Sequence, residues 1–276
     1  MPSRFFDPRV PPDGLVVSCE GAAISAQNAK KEEVVRIIAV ANQKGGCGKT
    51  TTAINLSSCL TLGGKKVLLI DVDPQSHATM GLNVDLAHGK SMYHVMAPSQ
   101  GGQVRIEDII VPVKPNFDIA PSDVMLSAVE QELVGVEGRE NRLLEAVEAL
   151  TEPYDFVIID CPPSIGHLCF NALRASSKAI IPIDMSLFSL RGVAKLAEII
   201  SLLENSCDHA VEARALVTMY DQRTRYSMQV LDKVRERFKG HVFDTVIRYN
   251  IRLRETVDHG LPVGDYDKHA IGQKDY

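Results

Sequence analysis

The most informative stretch of the sequence is residues 44–50, which read Lys-Gly-Gly-Cys-Gly-Lys-Thr. An apolar run typical of a strand precedes it, and an apolar helical pattern follows. Glycines let backbone N–H groups turn toward an anion, and the dipole of the following helix adds positive potential. We therefore predict a phosphate-binding loop, in which Lys49 contacts nucleotide phosphates and the Thr50 hydroxyl binds Mg²⁺.

Two further apolar runs end in carboxylates, the first in Asp71 and Asp73 and the second in Asp160. Alternation along a strand places Asp71 and Asp73 on one face, at the strand end where open α/β sheets bind ligands. From the residues alone, the alternative is that both are simply turn residues at a strand end. Because Asp160 ends an apolar strand downstream of a phosphate loop, we predict that it holds Mg²⁺ through a water molecule.

The remaining sequence predicts the elements that position these groups. Strands are predicted at 34–41, 66–72, 117–120, 156–160, 179–183, 215–219 and 242–247. Helices are predicted at 49–62, 122–134, 139–150, 164–176, 189–205 and 224–239. The strand runs are continuously apolar, as is typical of strands buried on both faces. Their alternation with helices predicts an α/β fold with a doubly wound, mostly parallel sheet and helices on both faces.

Length and composition predict a soluble globular chain with one folded domain. The chain has 276 residues and a formal net charge of −5, so it has no general attraction to polyanions. Residues 1–33 lack any period, and we predict a disordered extension there, followed by a single domain over 34–276. No apolar run reaches the roughly 18–20 residues that span a bilayer, and the N-terminus lacks a signal-peptide core.

The six cysteines are scattered and form no C-x-x-C pair. This spacing argues against zinc and against a disulfide framework, and it favours reduced thiols in a cytosol. A [4Fe–4S] cluster between two subunits needs only two cysteines from each chain, so the spacing leaves that alternative open. Cys47, near a helix N-terminus, is a position where a lowered thiol pKa is expected.

The phosphate loop departs from the ordinary G-x-x-x-x-G-K-[ST] pattern, because Gln43 occupies the first glycine position. The loop instead has a second lysine, Lys44, five residues before Lys49. With this lysine, the segment 44–50 resembles the deviant Walker A signature of the ParA/MinD superfamily. The resemblance implies that Lys44 reaches the partner's nucleotide across a dimer interface. It also implies that Asp73 orients or activates water, and that Asp71 is structural or contacts a Mg²⁺-bound water.

The resemblance implies two sets of site residues. The implied catalytic residues are Lys44, Lys49 and Asp73. The loop residues implied to bind ATP are Lys44, Gly45, Gly46, Cys47, Gly48, Lys49, Thr50 and Thr51.

A second feature is the charge of residues 221–254, which carry nine Lys or Arg against four Asp or Glu. The net charge of this segment is therefore +5, and that of the rest of the chain is −10. A basic segment in an otherwise acidic protein is typical of a nucleic-acid-binding face. The segment 219–224 resembles the ParA stretch that carries a DNA-contacting arginine, which makes Arg223 the first candidate. The further candidates are Arg225, Arg248, Arg252 and Arg254. The alternative interpretation is a solvated helix face, above all for the charges at 233–239.

The resemblance weakens in the loop that walls the adenine in the family. Arg248 and Tyr249 stand where relatives carry proline and arginine, whereas Asn250 matches and is predicted to contact ATP. Stacking on the base and simple packing are equally open roles for Tyr249. The sequence ends at Tyr276, where relatives continue into a final helix, so that helix is expected to be missing. The membrane-binding amphipathic helix that ends MinD-like relatives is not found either.

The resemblance to ParA covers residues 34–276, with a further match at 187–192. It implies an ATPase with ATP and Mg²⁺ as cofactors and a weak intrinsic rate. It further implies an ATP-dependent homodimer that binds non-specific double-stranded DNA, and a ParB-like activator. The expected location is cytoplasmic and nucleoid-associated, without membrane binding. The alternatives are a ParA-like positioner of a protein cargo, a MinD-like membrane-associated regulator, and a metabolic relative such as an ATP-dependent amidase, a ligase or an iron-protein-like reductase.

Overall fold

The computed structural model describes residues 35–100, 104–186 and 189–276. The predicted extension at 1–33 and the side chains of the 187–192 match lie outside this description. Within it, no helix is long and apolar enough to cross a membrane.

The strands of the described chain form one sheet. They are β1 (Arg36–Val40), β2 (Val67–Asp71), β3 (Val111–Lys114), β4 (Phe117–Ala120), β5 (Phe156–Asp160), β6 (Lys178–Ile183), β7 (Glu212–Tyr220) and β8 (Val242–Arg248). Their order is β3-β4-β2-β5-β1-β6-β7-β8, and all neighbours are parallel except β3 and β4. The predicted mostly parallel, doubly wound sheet is confirmed. Strand β3 was not predicted, because Pro112 interrupts its short apolar run, a pattern tolerated at sheet edges.

The helices follow the predicted alternation and add several short elements. They are α1 (Lys49–Leu62), α2 (His77–Gly81), α3 (Met92–Met96), α4 (Val129–Glu132), α5 (Arg142–Glu148), α6 (His167–Ala175), α7 (Ser189–Cys207), α8 (Arg225–Phe238), α9 (Arg252–His259), α10 (Val263–Tyr266) and α11 (Ile271–Asp275). The predicted helix at 122–134 is instead a 3₁₀ turn followed by α4. Elements of four to eight residues, such as α2, α9 and α10, are too short to give a periodic signal in the sequence.

The sheet is buried on both faces by alternating side chains. In β2, Leu68 and Ile70 belong to the larger apolar cluster, which α5, α6, α7 and α8 cover. Leu69, between them, belongs to the second cluster, where it packs with Ala53 and Ile54 of α1. This period of two explains why the strands read as continuously apolar in sequence.

The carboxyl ends of the central strands meet at one edge of the sheet. Strand β1 lies between β5 and β6, so the chain leaves β1 at the point where successive connections diverge to opposite sides. Ligands in open α/β sheets bind at such switch points. The register pairs Val40 with Asp160 and Asp71 with Asp160, so both carboxylates end beside the loop that follows β1.

Because the sheet is buried on both faces, truncation of a leucine within it and of a leucine on the surface should lower the free energy of unfolding by very different amounts. Leu69→Ala leaves a cavity at the fully buried centre of the sheet and is expected to lower the free energy of unfolding by about 2–5 kcal/mol. Leu62→Ala is the matched control, because Leu62 is 68% exposed on α1 and its loss is expected to cost less than about 0.5 kcal/mol. Urea unfolding followed by circular dichroism measures both. Equal effects would contradict the layer assignment.

Candidate functional site

The phosphate loop is fixed by contacts with β6 and β7. Gly46 and Gly48 have φ values of 72° and 91°, a left-handed backbone that glycine adopts without strain. The buried Asn42 side chain accepts a hydrogen bond from Lys44 N (3.1 Å) and donates one to the Pro182 carbonyl of β6 (2.6 Å). The loop is therefore shaped before any ligand binds.

Strand β7 also anchors the loop. The Thr218 hydroxyl donates to the Cys47 carbonyl over 2.8 Å. Neither Asn42 nor Thr218 was identified from the sequence. Asn42 directly precedes the loop, a position that could have drawn attention to it, whereas Thr218 lies 171 residues away with no local signal.

The two lysines of the loop occupy different environments. Lys49 is buried at the start of α1, and its ammonium donates to the Lys44 carbonyl over 3.2 Å. The Lys44 side chain instead forms an ion pair with Asp184, just after β6. Asp184 could not be identified as a site residue from the sequence, because polar residues commonly follow strands in turns.

Asp160 is the least satisfied group of the site. It is fully buried, and within the described part of the chain neither carboxylate oxygen has a hydrogen-bond partner of ordinary geometry. Burial, and then the neighbouring Asp71, raises the pKa of Asp160, while the nearby Thr50 hydroxyl and the Lys49 ammonium act in the opposite direction. A buried carboxylate in this state fits a cation, because a cation removes the cost of the unpaired charge.

Mg²⁺ fits this arrangement. It binds proteins through one or two oxygen ligands and takes its remaining ligands from phosphates and water. Thr50, in the first turn of α1, and Asp160 are the residues that would hold it, Asp160 through water. Within the described ranges, no group of three or more His, Cys, Asp or Glu side chains is arranged to bind a metal by itself.

Asp71 and Asp73 have structural partners of their own. Asp71 is fully buried and accepts hydrogen bonds from Thr79 N (2.9 Å), the Thr79 hydroxyl (2.8 Å) and Asp73 N (3.1 Å). Burial nevertheless raises its pKa. Asp73 accepts from Gln75 N over 2.9 Å. The structural alternative for Asp71 thus agrees with the observed contacts, and Asp73 begins the turn that leads into α2.

A glutamate that the sequence did not reveal fixes the loop after β5. Glu130 accepts hydrogen bonds from His167 N (2.7 Å) and Leu168 N (3.1 Å), which are free donors at the start of α6. A Cβ atom at Gly166 would overlap this carboxylate, so a larger residue there would displace the Glu130 side chain from the start of α6. The loop 161–166 is therefore fixed at the α6 end.

The expectation of a lowered pKa at Cys47 is wrong. The thiol is buried and donates to the Lys44 carbonyl, and burial raises its pKa despite the neighbouring Lys49. Burial also raises the pKa values of Cys161 and Cys169. The described cysteines are all free thiols, namely Cys47, Cys59, Cys161, Cys169 and Cys207.

A cleft continues from the phosphate loop toward the carboxyl ends of β7 and β8. It brings the predicted nucleotide residue Asn250 together with Gly48 and Thr51. The Asn250 side chain accepts from Arg252 N over 2.9 Å, which fixes its orientation. The other lining residues are Thr218, Met219, Ile247, Arg248, Tyr249, Leu253, Arg254 and Tyr276.

The five arginines predicted to contact DNA lie at the ends of β7 and β8 in two groups. Arg223 and Arg225 follow β7, and the Arg223 side chain is 81% exposed while paired with Asp221. The three arginines at and after the end of β8 each contact other side chains. Arg248 pairs with Asp275, Arg252 pairs with Glu255 and Asp267, and Arg254 lies over the Tyr249 ring.

A glycine loop between a buried strand and a helix, facing carboxylates at neighbouring strand ends, defines a P-loop NTPase. A family model described as an AAA domain matches residues 35–213. The chain is 40% identical over 243 residues to the sporulation initiation inhibitor protein Soj of Bacillus subtilis, covering 87% of this chain and 95% of Soj. It therefore belongs to the ParA/Soj-type partition ATPases of the ParA/MinD superfamily.

Two further comparisons agree with this assignment. The chromosome partitioning protein ParA of Caulobacter vibrioides is 39% identical over 247 residues, or 88% of this chain and 91% of that protein. A solved structure named cobyrinic acid a,c-diamide synthase, from Mycobacterium smegmatis, contains an ATP analogue and magnesium. It is 35% identical, has a TM-score of 0.72 and covers 82% of this chain and 93% of that one. ATP and Mg²⁺ as cofactors are thus confirmed at the level of the family.

The unsatisfied carboxylate predicts the behaviour of one variant. Asp160→Asn should lower the Mg²⁺-dependent part of ADP affinity about tenfold or more, because the amide orders metal-bound water less well than the carboxylate. The same change should raise the melting temperature of the nucleotide-free protein, since it removes an unpaired buried charge.

Calorimetric titration of ADP with and without Mg²⁺ measures the first effect, and scanning calorimetry the second. Asp244→Asn is the control, because Asp244 is exposed on β8. An undiminished Mg²⁺ effect in Asp160→Asn would contradict the metal assignment.

Proposed function

We propose that this chain is a partition ATPase that binds ATP with Mg²⁺, dimerises on ATP and then binds non-specific double-stranded DNA. Hydrolysis, stimulated by a ParB-like partner, returns it to the monomer. The buried carboxylate of Asp160, which has no hydrogen-bond partner of ordinary geometry among the described residues and lies beside the phosphate loop, is the observation that carries the nucleotide chemistry. The names of the relatives Soj and ParA support the cellular role, which is cytoplasmic and nucleoid-associated.

The site residues have different roles in the proposed hydrolysis. Backbone N–H groups of the loop and the Lys49 ammonium bind the phosphates, and Thr50 and Asp160 hold Mg²⁺. The metal, when bound, neutralises charge on the phosphate oxygens. Asp73 orients the attacking water and takes up its proton, a role that suits a carboxylate at the end of β2 beside the phosphates.

We propose that the Lys44 ion pair keeps the intrinsic rate of hydrolysis weak. In the single chain the Lys44 ammonium is held by Asp184, so this charge is directed at a carboxylate rather than at a phosphate. Transfer of the phosphoryl group gains much of its rate from cations placed where charge develops. We therefore propose that Lys44 acts on the partner's nucleotide in the ATP-bound dimer, where it leaves Asp184.

The DNA contacts are assigned to the group of arginines after β7. Arg223 is highly exposed, and Arg225 is exposed at the first turn of α8. Their segment follows Thr218 and Met219, which line the nucleotide cleft, so nucleotide binding acts on the same stretch of chain. Contacts would go to DNA phosphates, and affinity should fall steeply with salt.

An ATP-dependent amide synthase is the second candidate, because a solved structure at 35% identity is named cobyrinic acid a,c-diamide synthase and contains an ATP analogue. The two candidates differ in what the ATP-bound protein recognises. A synthase would hydrolyse ATP only in the presence of a carboxylic acid and a nitrogen donor, and it would not respond to DNA.

The decisive test is a fluorescence-anisotropy titration of random-sequence duplex DNA with ATP, ADP or no nucleotide, at about 100 mM salt. Binding is expected only with ATP. Arg223→Glu should weaken it about tenfold or more, because one phosphate contact becomes a repulsion. Asp73→Ala should keep ATP-dependent binding while losing hydrolysis.

Arg105→Glu is the matched control for charge reversal. Arg105 is 64% exposed and ion-paired like Arg223, but it lies near the opposite edge of the sheet, beside β4. Equal losses in both variants would contradict a local DNA site. A protein that binds ATP but never DNA would overturn the partition function and favour the synthase.

A further inference from the structure

We propose that the Tyr249 ring is the platform on which the nucleotide base stacks, with the Arg254 guanidinium supporting the ring from its other face. Arg254 then serves the nucleotide and not DNA. The inference rests on the proposed nucleotide binding at the phosphate loop. It names the residues that hold the base, which the departures of this loop from the family pattern leave undefined.

The position of Tyr249 follows from the cleft. One end of the cleft is formed by Gly48 and Thr51, where the loop becomes α1 and where the phosphates of a nucleotide would lie. Tyr249 and Arg254 line the same cleft from the β8 side. A nucleotide with its phosphates in the loop therefore has the Tyr249 ring within the space available to its base.

The backbone that carries this ring is held on both sides. Tyr249 N donates to the Tyr220 carbonyl over 2.9 Å, which ties the β8 end to β7. Arg248, the preceding residue, forms a multiply hydrogen-bonded ion pair with Asp275, whose side chain is only 7% exposed. On the other side, the Asn250 side chain closes a turn with Arg252 N. A ring on so constrained a backbone is preorganised, which lowers the entropic cost of binding.

The exposure of the Tyr249 ring and its contact with Arg254 fit a stacking role. Tyr249 is 47% exposed, a large unburied fraction for an aromatic residue that lines a cleft. The Arg254 guanidinium carbon lies 5.3 Å from the ring centroid, over one face, in a cation–π arrangement. The opposite face is the one left for a planar partner. Stacking there would bury aromatic surface that water now covers, and a purine offers more of it than a pyrimidine.

This arrangement assigns the arginines near β7 and those near β8 to different ligands. The Arg254 guanidinium is committed to the Tyr249 ring, and Arg248 is committed to Asp275. Arg223 and Arg225 are not among the residues that line the cleft. Substitutions at Arg254 and at Arg223 should therefore affect different ligands.

The test compares ligands that share phosphates but differ in the base. ADP and inorganic pyrophosphate are titrated calorimetrically, with Mg²⁺, into wild type, Tyr249→Ala and Tyr249→Phe. Tyr249→Ala should weaken ADP about tenfold, a loss typical of one stacked base, and leave pyrophosphate unchanged. Tyr249→Phe should stay close to wild type. CDP should bind wild type more weakly than ADP and lose less in Tyr249→Ala.

Two controls and a spectroscopic signal sharpen the comparison. Tyr226→Ala, at a tyrosine 50% exposed on α8 outside the cleft, should leave ADP affinity unchanged. Arg254→Ala should weaken ADP by a few-fold and Arg223→Ala should not. The chain has no tryptophan, so its emission is that of tyrosine, and ADP should quench a fraction that disappears in Tyr249→Ala.

The outcomes separate the inference from the proposed function. Unchanged ADP affinity in Tyr249→Ala, or an equal loss for ADP and pyrophosphate, would overturn the stacking role while leaving the phosphate site intact. If wild type bound neither ADP nor pyrophosphate, the nucleotide function and this inference would both fail.

Discussion

Asp160 carries two carboxylate oxygens into the interior, where no residue that the structure describes donates to either with ordinary hydrogen-bond geometry. An unpaired buried charge costs several kcal/mol, so the fold retains this residue at the expense of its own stability. The neighbouring Asp71 does not share the problem, because Thr79 and the backbone of Asp73 satisfy it. The parallel register of β2 and β5 thus places two carboxylates side by side, one hydrogen-bonded within the protein and one that we assign to a metal-bound water.

The phosphate loop is arranged around this constraint. Asn42, Thr218 and Glu130 fix the segments on either side of Asp160 through hydrogen bonds to backbone groups, so no large rearrangement is needed to receive phosphates. The mechanism that we propose requires the Lys44 side chain to leave Asp184, with which it is paired. The site is therefore prepared for nucleotide binding in one chain, while the proposed use of Lys44 requires a second.

Much of this organisation could be read from the sequence, because continuously apolar strands and a glycine loop before a helix have distinctive local patterns. The parallel sheet, α1, and the clustering of Asp71, Asp73 and Asp160 at strand ends followed from those patterns alone. Asp184 and Thr218 could not be found in this way, since their roles depend on which strands become neighbours. The pKa of Cys47 was misjudged because the helix N-terminus was considered without burial, which has the larger effect.

The central claim is that Asp160 and Thr50 receive a magnesium ion together with a nucleotide bound to the glycine loop. A crystal structure with Mg²⁺ and a non-hydrolysable ATP analogue tests it most directly. The account predicts Mg²⁺ on the Thr50 hydroxyl and the phosphates, an Asp160 oxygen on a metal-bound water, and Asp71 still bonded to Thr79. A metal bound to Asp71 instead, with Asp160 left without a partner, would contradict it.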